Sequence, residues 1–243
     1  MVFQAINEKK QQLDAKSPLP AYTLKSLKEK LLLEWIYHSN AIEGNTLTLK
    51  ETKVVLEGIA VGGKTIREHL EVINHREAIK YVEEIVTKDE PLSEWQIKNI
   101  HRLVSKGIDE EYAGVYRNQQ VFISGAEHTP PEPFSLKEKM KQLTAWHEGE
   151  AQQLHPVERA AKLHAIFVGI HPFIDGNGRT SRLLLNLDLM KSGFPPIVIK
   201  AENRLAYYSA LDKAHTTNDF QDFIQLVEQE VNHTLDLYLS AVN

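Results

Sequence analysis

The sequence predicts an all-α fold, a helical bundle that carries one short β-hairpin. Apolar residues recur at three- and four-residue steps through most of the 243 residues, the spacing that gathers them on one helical face. Gly, Pro, Ser and Thr stand at the ends of those runs, where helices stop and start. One stretch departs from that period. Residues 112–129 set β-branched and aromatic side chains between glycines, and Pro130, Pro131 and Pro133 follow as a rigid turn.

In chain order, the opening residues are polar, with neither an apolar core nor a cleavage-like site, so no signal peptide is read there. Residues 23–43 place Leu24, Leu27, Leu31, Trp35 and Ile42 near one face, and Gly44 is a natural stop. Thr48 stands in N-cap position before a stretch whose charges are spaced as on a helix. Residues 65–87 carry Ile66, Leu70, Ile73 and Ile85 at helical steps without Gly or Pro. Ser93 opens a helix with Trp95, Ile97, Ile100, Leu103 and Val104, and Ser135 opens another with Leu136, Met140, Leu143 and Trp146. Pro156 suits the first turn of a helix running through Ala160, Leu163, Phe167 and Ile170. A further helix starts near residues 177–180 and continues through Leu183, Leu184, Leu187 and Met190; two more cover about 204–215 and 219–239.

The composition narrows the function. A 25% charged and 42% hydrophobic chain is that of an ordinary soluble globular protein. Absence of cysteine excludes disulfide scaffolds, Cys-ligated zinc, iron–sulfur clusters and thiol catalysis. The net charge of −5 works against a broad grip on nucleic acid, which rests on phosphate neutralisation. The longest apolar runs are a few residues, far short of a bilayer span. The expectation is a cytoplasmic protein with no nucleic-acid and no membrane partner.

Two glycine-rich stretches compete as phosphate sites. Residues 58–65 match G-x-x-x-x-G-K-[ST], but that pattern needs a strand ahead of it, and here the preceding residues read as helix. They are taken as a helix–helix turn, with a phosphate-loop NTPase using Lys64 and Thr65 as the rival. Residues 171–182, HPFIDGNGRTSR, carry more chemistry. Pro172 ends one helix at His171; Gly176 and Gly178 free the backbone; a new helix then presents unpaired N–H groups and a positive dipole end. Arg179 and Arg182, three apart, share a face and suit a polyphosphate. Asp175 among them points to a hard cation such as Mg²⁺, and His171 is a candidate general base.

Residues 171–182 resemble the full signature of the Fic family, H-x-F-x-[D/E]-G-N-G-R-x-x-R. The resemblance implies an all-α core with a hairpin flap, and transfer of AMP from ATP to a protein hydroxyl. On it, His171 is the base, Phe173 anchors the loop, and Asp175 holds Mg²⁺ (or Mn²⁺) between the α- and β-phosphates. Gly176, Asn177 and Gly178 form an anion hole with the Asn177 side chain on phosphate oxygens, and Arg179 and Arg182 meet the β- and γ-phosphates. Residues 114–128 are similar to the family's flap, whose Val121, Phe122 and Ile123 would dock a target segment by strand addition. Tyr208 and His215 match the stretch bordering the adenine, His215 standing where Asn is common.

Ser39-Asn-Ala-Ile-Glu43-Gly44 resembles the family's inhibitory motif, [S/T]-x-x-x-E-[G/N]. An acid at a helix C-terminus opposes the dipole; the resemblance supplies a compensating partner in Arg182 and implies a bidentate pair that displaces the γ-phosphate. Residues 1–243 then read as one unit: 1–88 a helical region with an inhibitory helix at about 23–43, and 89–243 the core. In animal relatives that share the residues 41–49, the equivalent glutamate also supports AMP removal, so Glu43 and His171 are candidates for that reaction too. The target is a protein hydroxyl, the chain's own included; a homodimer through residues 66–73 and a non-catalytic ATP-sensing module are the further readings.

Overall fold

The structure, a computed structural model, describes residues 3–241. Among them are ten α-helices: α1 (Gln4–Ala15), α2 (Ala21–Ile42), α3 (Leu49–Leu56), α4 (Ile66–Thr87), α5 (Glu94–Ser105), α6 (Leu136–Glu148), α7 (Pro156–Ile170), α8 (Asn177–Lys191), α9 (Arg204–Thr217) and α10 (Gln221–Ala241). α7 and α8, joined by the loop 171–176, pack against each other at the centre. α4 and α5 cover α8, α6, α9 and α10 cover α7, and α2 lies against α3 and α4. α8 buries residues on every face, Leu183, Leu184, Leu185, Asn186, Leu187, Asp188 and Leu189 in succession, which marks it as the innermost helix.

The start signals act as caps. Thr48 and Thr65 each accept from the backbone N–H three residues on, and Glu51 and Glu68 return the bond, two complete capping boxes. Ser93 caps α5 by accepting from Gln96 N–H. Residues 58–65 are therefore the turn between α3 and α4. Lys64 Nζ is spent there on the Thr46 carbonyl at 2.6 Å and the Thr46 hydroxyl at 3.0 Å.

At the end of α7–α8 remote from the 171–176 loop, buried Asp188 accepts from Arg159 Nε at 2.9 and 3.1 Å and contacts His147 Nε2 at 2.9 Å. Arg159 Nη2 continues to the Ser192 hydroxyl at 2.7 Å. The ion pair is buried and every partner is hydrogen-bonded, the condition under which buried charge is tolerated. It fixes α6 and α7 onto α8.

Two expectations change. α1 falls in the opening segment read only as polar: its apolar residues are sparse, but Ile6 and Leu13 are buried, and α1 packs on α10. The hairpin expected within residues 112–129 does not form; no strand occurs among the described residues. The segment's amides are taken by the helical scaffold instead of by each other. Gly114 N–H donates to His101 Nδ1, Arg117 N–H to the Pro172 carbonyl, and Glu127 and His128 N–H to the Asp212 carboxylate. Each arm is thus moored to a different element, and cross-strand pairing has no amides left at those points. The strand-like alternation survives in side-chain burial: Phe122 is 79% exposed between partly buried Val121 and Ile123.

Candidate active site

α7 ends at His171, which adopts the left-handed conformation (φ 49°, ψ 57°) while its N–H still bonds to Phe167. The loop then drives Phe173 into the core, where its ring stacks on His101 with centroids 3.6 Å apart and planes 6° from parallel. Asn177 closes the loop on itself. Its Oδ1 accepts from Phe173 N–H at 3.0 Å, and its Nδ2 donates to the Phe173 carbonyl at 2.8 Å.

Two side chains from other elements buttress this loop. His101 accepts Gly114 N–H at Nδ1 and donates from Nε2 to the Asp175 carbonyl at 2.8 Å. That pair of bonds requires the neutral ring with hydrogen on Nε2, and burial holds the His101 pKa down to about 4. Buried Arg117 donates from Nε to the His171 carbonyl at 2.9 Å, from Nη1 to Gln119 O, and from Nη2 to Pro131 O. One guanidinium therefore ties both arms of the 117–131 segment to His171.

α8 begins with Gly176 as N-cap at φ 76°, a value that suits glycine. Its first intrahelical bond is Thr180 N–H to Gly176 O, which leaves the amides of residues 177–179 without helical acceptors. Arg179, buried, lies between Asp175 Oδ2 and Glu71 Oε1, each 3.3 Å away. Arg67 on α4 completes a ring of alternating charge: Nε reaches Glu71 Oε1 at 3.2 Å and Nη2 reaches Asp175 Oδ2. Burial pushes the Asp175 pKa up, but Arg179, the Gly176 N–H and Arg67 outweigh it, so the net shift is downward and the carboxylate stays ionised at neutral pH.

Arg182, fully buried, donates from Nε to Ser39 Oγ at 2.9 Å, from Nη1 to Tyr207 Oη at 3.2 Å, and from Nη2 to Ser39 O at 2.8 Å and Glu43 Oε1 at 2.6 Å. Glu43 follows the last residue of α2 as its C-cap. Its carboxylate lies so close over Gly178 that a Cβ built there would collide with Oε1. An acidic side chain thus occupies the positive end of α8, where an incoming anion would sit. Across the loop, burial lowers the His171 pKa to about 4, so its imidazole is neutral and able to accept a proton at neutral pH.

Among the described residues no cluster of three His, Cys, Asp or Glu side chains could hold a metal alone. Asp175, with a side chain 49% exposed at the mouth of the anion site, fits the manner in which Mg²⁺ is usually held, by one carboxylate together with substrate phosphates and water.

The Fic/DOC family model matches residues 91–189. A "Fic domain containing signaling protein" from Bacteroides thetaiotaomicron superposes with a TM-score of 0.90 at 31% identity, covering 98% of this chain and 97% of that one. The chain belongs to the Fic family. A fragment of Fic-1 from C. elegans superposes with a TM-score of 0.89 at 33% identity, covering 98% of this chain and 72% of that one. The Nematostella vectensis protein named protein adenylyltransferase Fic is 41% identical over 243 residues, 99% of this chain and 56% of its own length. The chain spans about half the length of the curated relatives it matches.

The Fic fold brings His171, Asp175, Gly176, Asn177, Gly178, Arg179, Arg182 and Glu43 to one end of the α7–α8 pair. Three expected details differ. The Asn177 side chain is engaged by the Phe173 backbone rather than turned toward a ligand, and the Gly176 N–H is taken by Asp175 Oδ1 at 2.6 Å, so the amides of residues 177–179 are the ones without helical acceptors at this end of α8. Glu43 meets Arg182 through one oxygen and not two, because Ser39 and Tyr207 take the other guanidinium directions. Tyr208 Oη donates to the Ile42 carbonyl at 3.1 Å, and His215 Nε2 contacts the Ala165 carbonyl at 2.8 Å while its ring covers Gly169. Both residues are used to hold helix ends and helix contacts in this state. His101, Arg67 and Glu71 are not among the expected residues and carry no local motif; Arg117 lies in the expected flap stretch, but its bond to the His171 carbonyl is not legible there.

Proposed function

We propose that this Fic protein is an adenylyltransferase that moves AMP from ATP to a Ser, Thr or Tyr hydroxyl of a protein, and that Glu43 restrains it. The observation that carries the reading is the placement of a neutral His171 and two buried arginines on opposite ends of a loop that opens into the N-terminus of α8. In the reaction, the target hydroxyl oxygen forms a bond to the α-phosphorus, the bond to the bridging oxygen breaks, and pyrophosphate leaves. His171 takes the hydroxyl proton. The amides of residues 177–179 with Arg179 and Arg182 would face the phosphate charge, a preorganised field that does not reorganise during the step. Mg²⁺, or Mn²⁺ in its place, would be held by Asp175 and would neutralise phosphate charge.

Glu43 opposes this by standing where the γ-phosphate would reach Arg182. The sequence similarity to proteins named protein adenylyltransferase Fic supports the same reading. Val121, Phe122 and Ile123 are proposed to present the target segment, and residues 1–88 to act as the restraining region of the 89–243 core. The protein itself is among the proposed targets. Ile66, 79% exposed at the start of α4, is the proposed centre of a homodimer contact, which sedimentation would test.

A second activity at the same site is favoured by the partial exposure of Glu43, whose side chain is 30% accessible. Water can reach it there, and Glu43 with His171 would direct that water at the phosphorus of an AMP-modified hydroxyl, releasing AMP. No helix among the described residues is long and apolar enough to cross a membrane.

The test is label transfer from α-³²P-ATP with Mg²⁺, comparing wild type, Glu43→Gly and Glu43→Gly/His171→Ala, with γ-labelled ATP in parallel. Protein-bound α-label that rises with Glu43→Gly and disappears in the double variant supports the proposal. ATP binding without α-label in any variant overturns it in favour of a sensing module.

A further inference from the structure

Arg67 lies outside the family signature and the inhibitory motif, yet it makes the closest contact to the one carboxylate of the signature loop. Its Nη2 bonds to Asp175 Oδ2, and its Nε bonds to Glu71 Oε1 at 3.2 Å. The two basic groups on Asp175 differ in freedom. Arg179 is buried and wedged between two acids, whereas the Arg67 side chain is 56% exposed on a long stem at the first turns of α4. Glu71, the residue Arg67 would fall back on, is one helical turn away and mostly buried, and Asn45 Nδ2 holds its other oxygen at 2.8 Å. Arg67 therefore has a second acceptor available without leaving the site, and Asp175 keeps Arg179 as a partner.

We propose that Arg67 is a resident counter-ion for Asp175 that a divalent cation must displace, so that it sets the metal affinity of the nucleotide site. This rests on the reading of Asp175 as the metal-holding carboxylate. The physical basis is charge balance. With Arg67 in place Asp175 faces two guanidiniums, and a cation approaching Oδ2 meets a like charge at hydrogen-bond distance. Exchange of one cation for another on a half-exposed carboxylate requires only rotation of the Arg67 side chain away from Oδ2. Arg67 on α4 and Asp175 at the α7–α8 loop are 108 residues apart, so the exchange also releases one tie between the N-terminal helices and the loop. Metal loading and the seating of α4 are thereby coupled, and by linkage an effector whose binding to α4 is favoured by the metal favours metal binding by the same factor.

The test is Mn²⁺ binding to the nucleotide-free protein, read by the loss of the free-ion EPR signal, because a nucleotide in solution takes up Mn²⁺ through its own phosphates. It uses the full chain in a Glu43→Gly background, which removes the acid lying over Gly178, with Arg67→Ala, Arg67→Lys and Asp175→Ala added singly. Arg67→Ala should bind Mn²⁺ about two- to fivefold more tightly than the parent, the ratio that a half-exposed ion pair supports. Arg67→Lys, which keeps a cation on a more flexible, single-point head, should fall between them, and Asp175→Ala should lose Mn²⁺ binding. Equal affinity in the parent and both Arg67 variants, or weaker binding in Arg67→Ala, overturns the proposal while leaving Asp175 as the metal ligand. Undiminished Mn²⁺ binding in Asp175→Ala overturns the reading beneath it, and the proposal with it. Melting curves without nucleotide show that each variant is folded; because Arg67 is half-exposed, its replacements should melt close to the parent.

Discussion

Glu43 reaches Arg182 with a single oxygen, 2.6 Å from Nη2, while Ser39 and Tyr207 hold the rest of the same guanidinium. Arg182 is therefore fixed whether or not Glu43 is present, and the restraint on it is one charge-assisted bond. Such a bond contributes about 1.5–3 kcal/mol, enough to keep a resting state populated and small enough for a partner or ligand to break. Removal of the glutamate leaves a buried cation with neutral acceptors only.

Glu43→Gly should accordingly lower stability by about 1–3 kcal/mol, less than for a fully buried pair because the Glu43 side chain is 30% exposed. Mg·ATP should return that loss by placing phosphate on Arg182; at a hundredfold excess over Kd a ligand contributes about 2.7 kcal/mol. Thermal unfolding with and without nucleotide checks this. A larger ATP-dependent shift in the wild type than in Glu43→Gly would contradict the arrangement.

Gly178→Ala places a methyl group against Glu43 Oε1, the free end of a flexible side chain, so Glu43 should move off Arg182. The cost should be about 1–2 kcal/mol in the wild type, from loss of that bond. In a Glu43→Gly background the same substitution should cost clearly less, because the colliding atom is gone. Urea midpoints of the four proteins give the coupling energy; an equal cost in both backgrounds rules out the contact. Gly178→Ala should not gain transfer activity, since its Cβ stands where the anion must approach.

His101→Phe keeps an aromatic ring against Phe173 but removes the acceptor for Gly114 N–H and the donor to Asp175 O. Two buried polar groups lose partners, which should cost about 2–4 kcal/mol in all. Amide exchange at Gly114 should accelerate. If the residue positions the loop, kcat in a Glu43→Gly background should fall more than ATP affinity. Unchanged exchange at Gly114 would show that the bond carries no weight.

Four buried histidines make a pH prediction. Burial holds His101 and His171 at about 4, and His75 and His164 well below the free value of 6.5. The unfolded chain therefore binds protons first as pH falls. Stability from these groups is fully present above 6.5 and is lost as pH drops from 6.5 toward 4, by at most about 3 kcal/mol for each of His101 and His171. Denaturation midpoints at pH 7.5, 6 and 5 should decline in that order; a flat series would refute it. The acid limb of transfer by Glu43→Gly should likewise fall below pH 5, since His171 stays neutral until then.

What could be read from the sequence is what is encoded locally. Pro172, Gly176, Asn177 and the Arg179–Arg182 step all act within twelve residues of one another, so loop, helix start and charged face were legible together. Thr48 declared α3 through a cap that needs only three residues. His101 and Arg67 reach Asp175 from 74 and 108 residues away, and no spacing rule connects them. α1 went unread because Ile6 and Leu13 show only a thin apolar stripe until α10 is there to receive it. The flap segment has strand composition, but Asp212, His101 and Pro172 compete for its amides, and those competitors belong to the tertiary fold.

The left-handed backbone at His171 bears on how the residue is held and how it is best replaced. A non-glycine residue there gives up about 1–2 kcal/mol relative to glycine. The imidazole is thus carried at a thermodynamic cost that glycine at 171 would not incur. His171→Ala therefore inherits the unfavourable backbone without the imidazole, whereas His171→Gly should be inert and more heat-resistant than the alanine variant. For any experiment that needs a dead enzyme with an undisturbed loop, glycine is the better-matched blank.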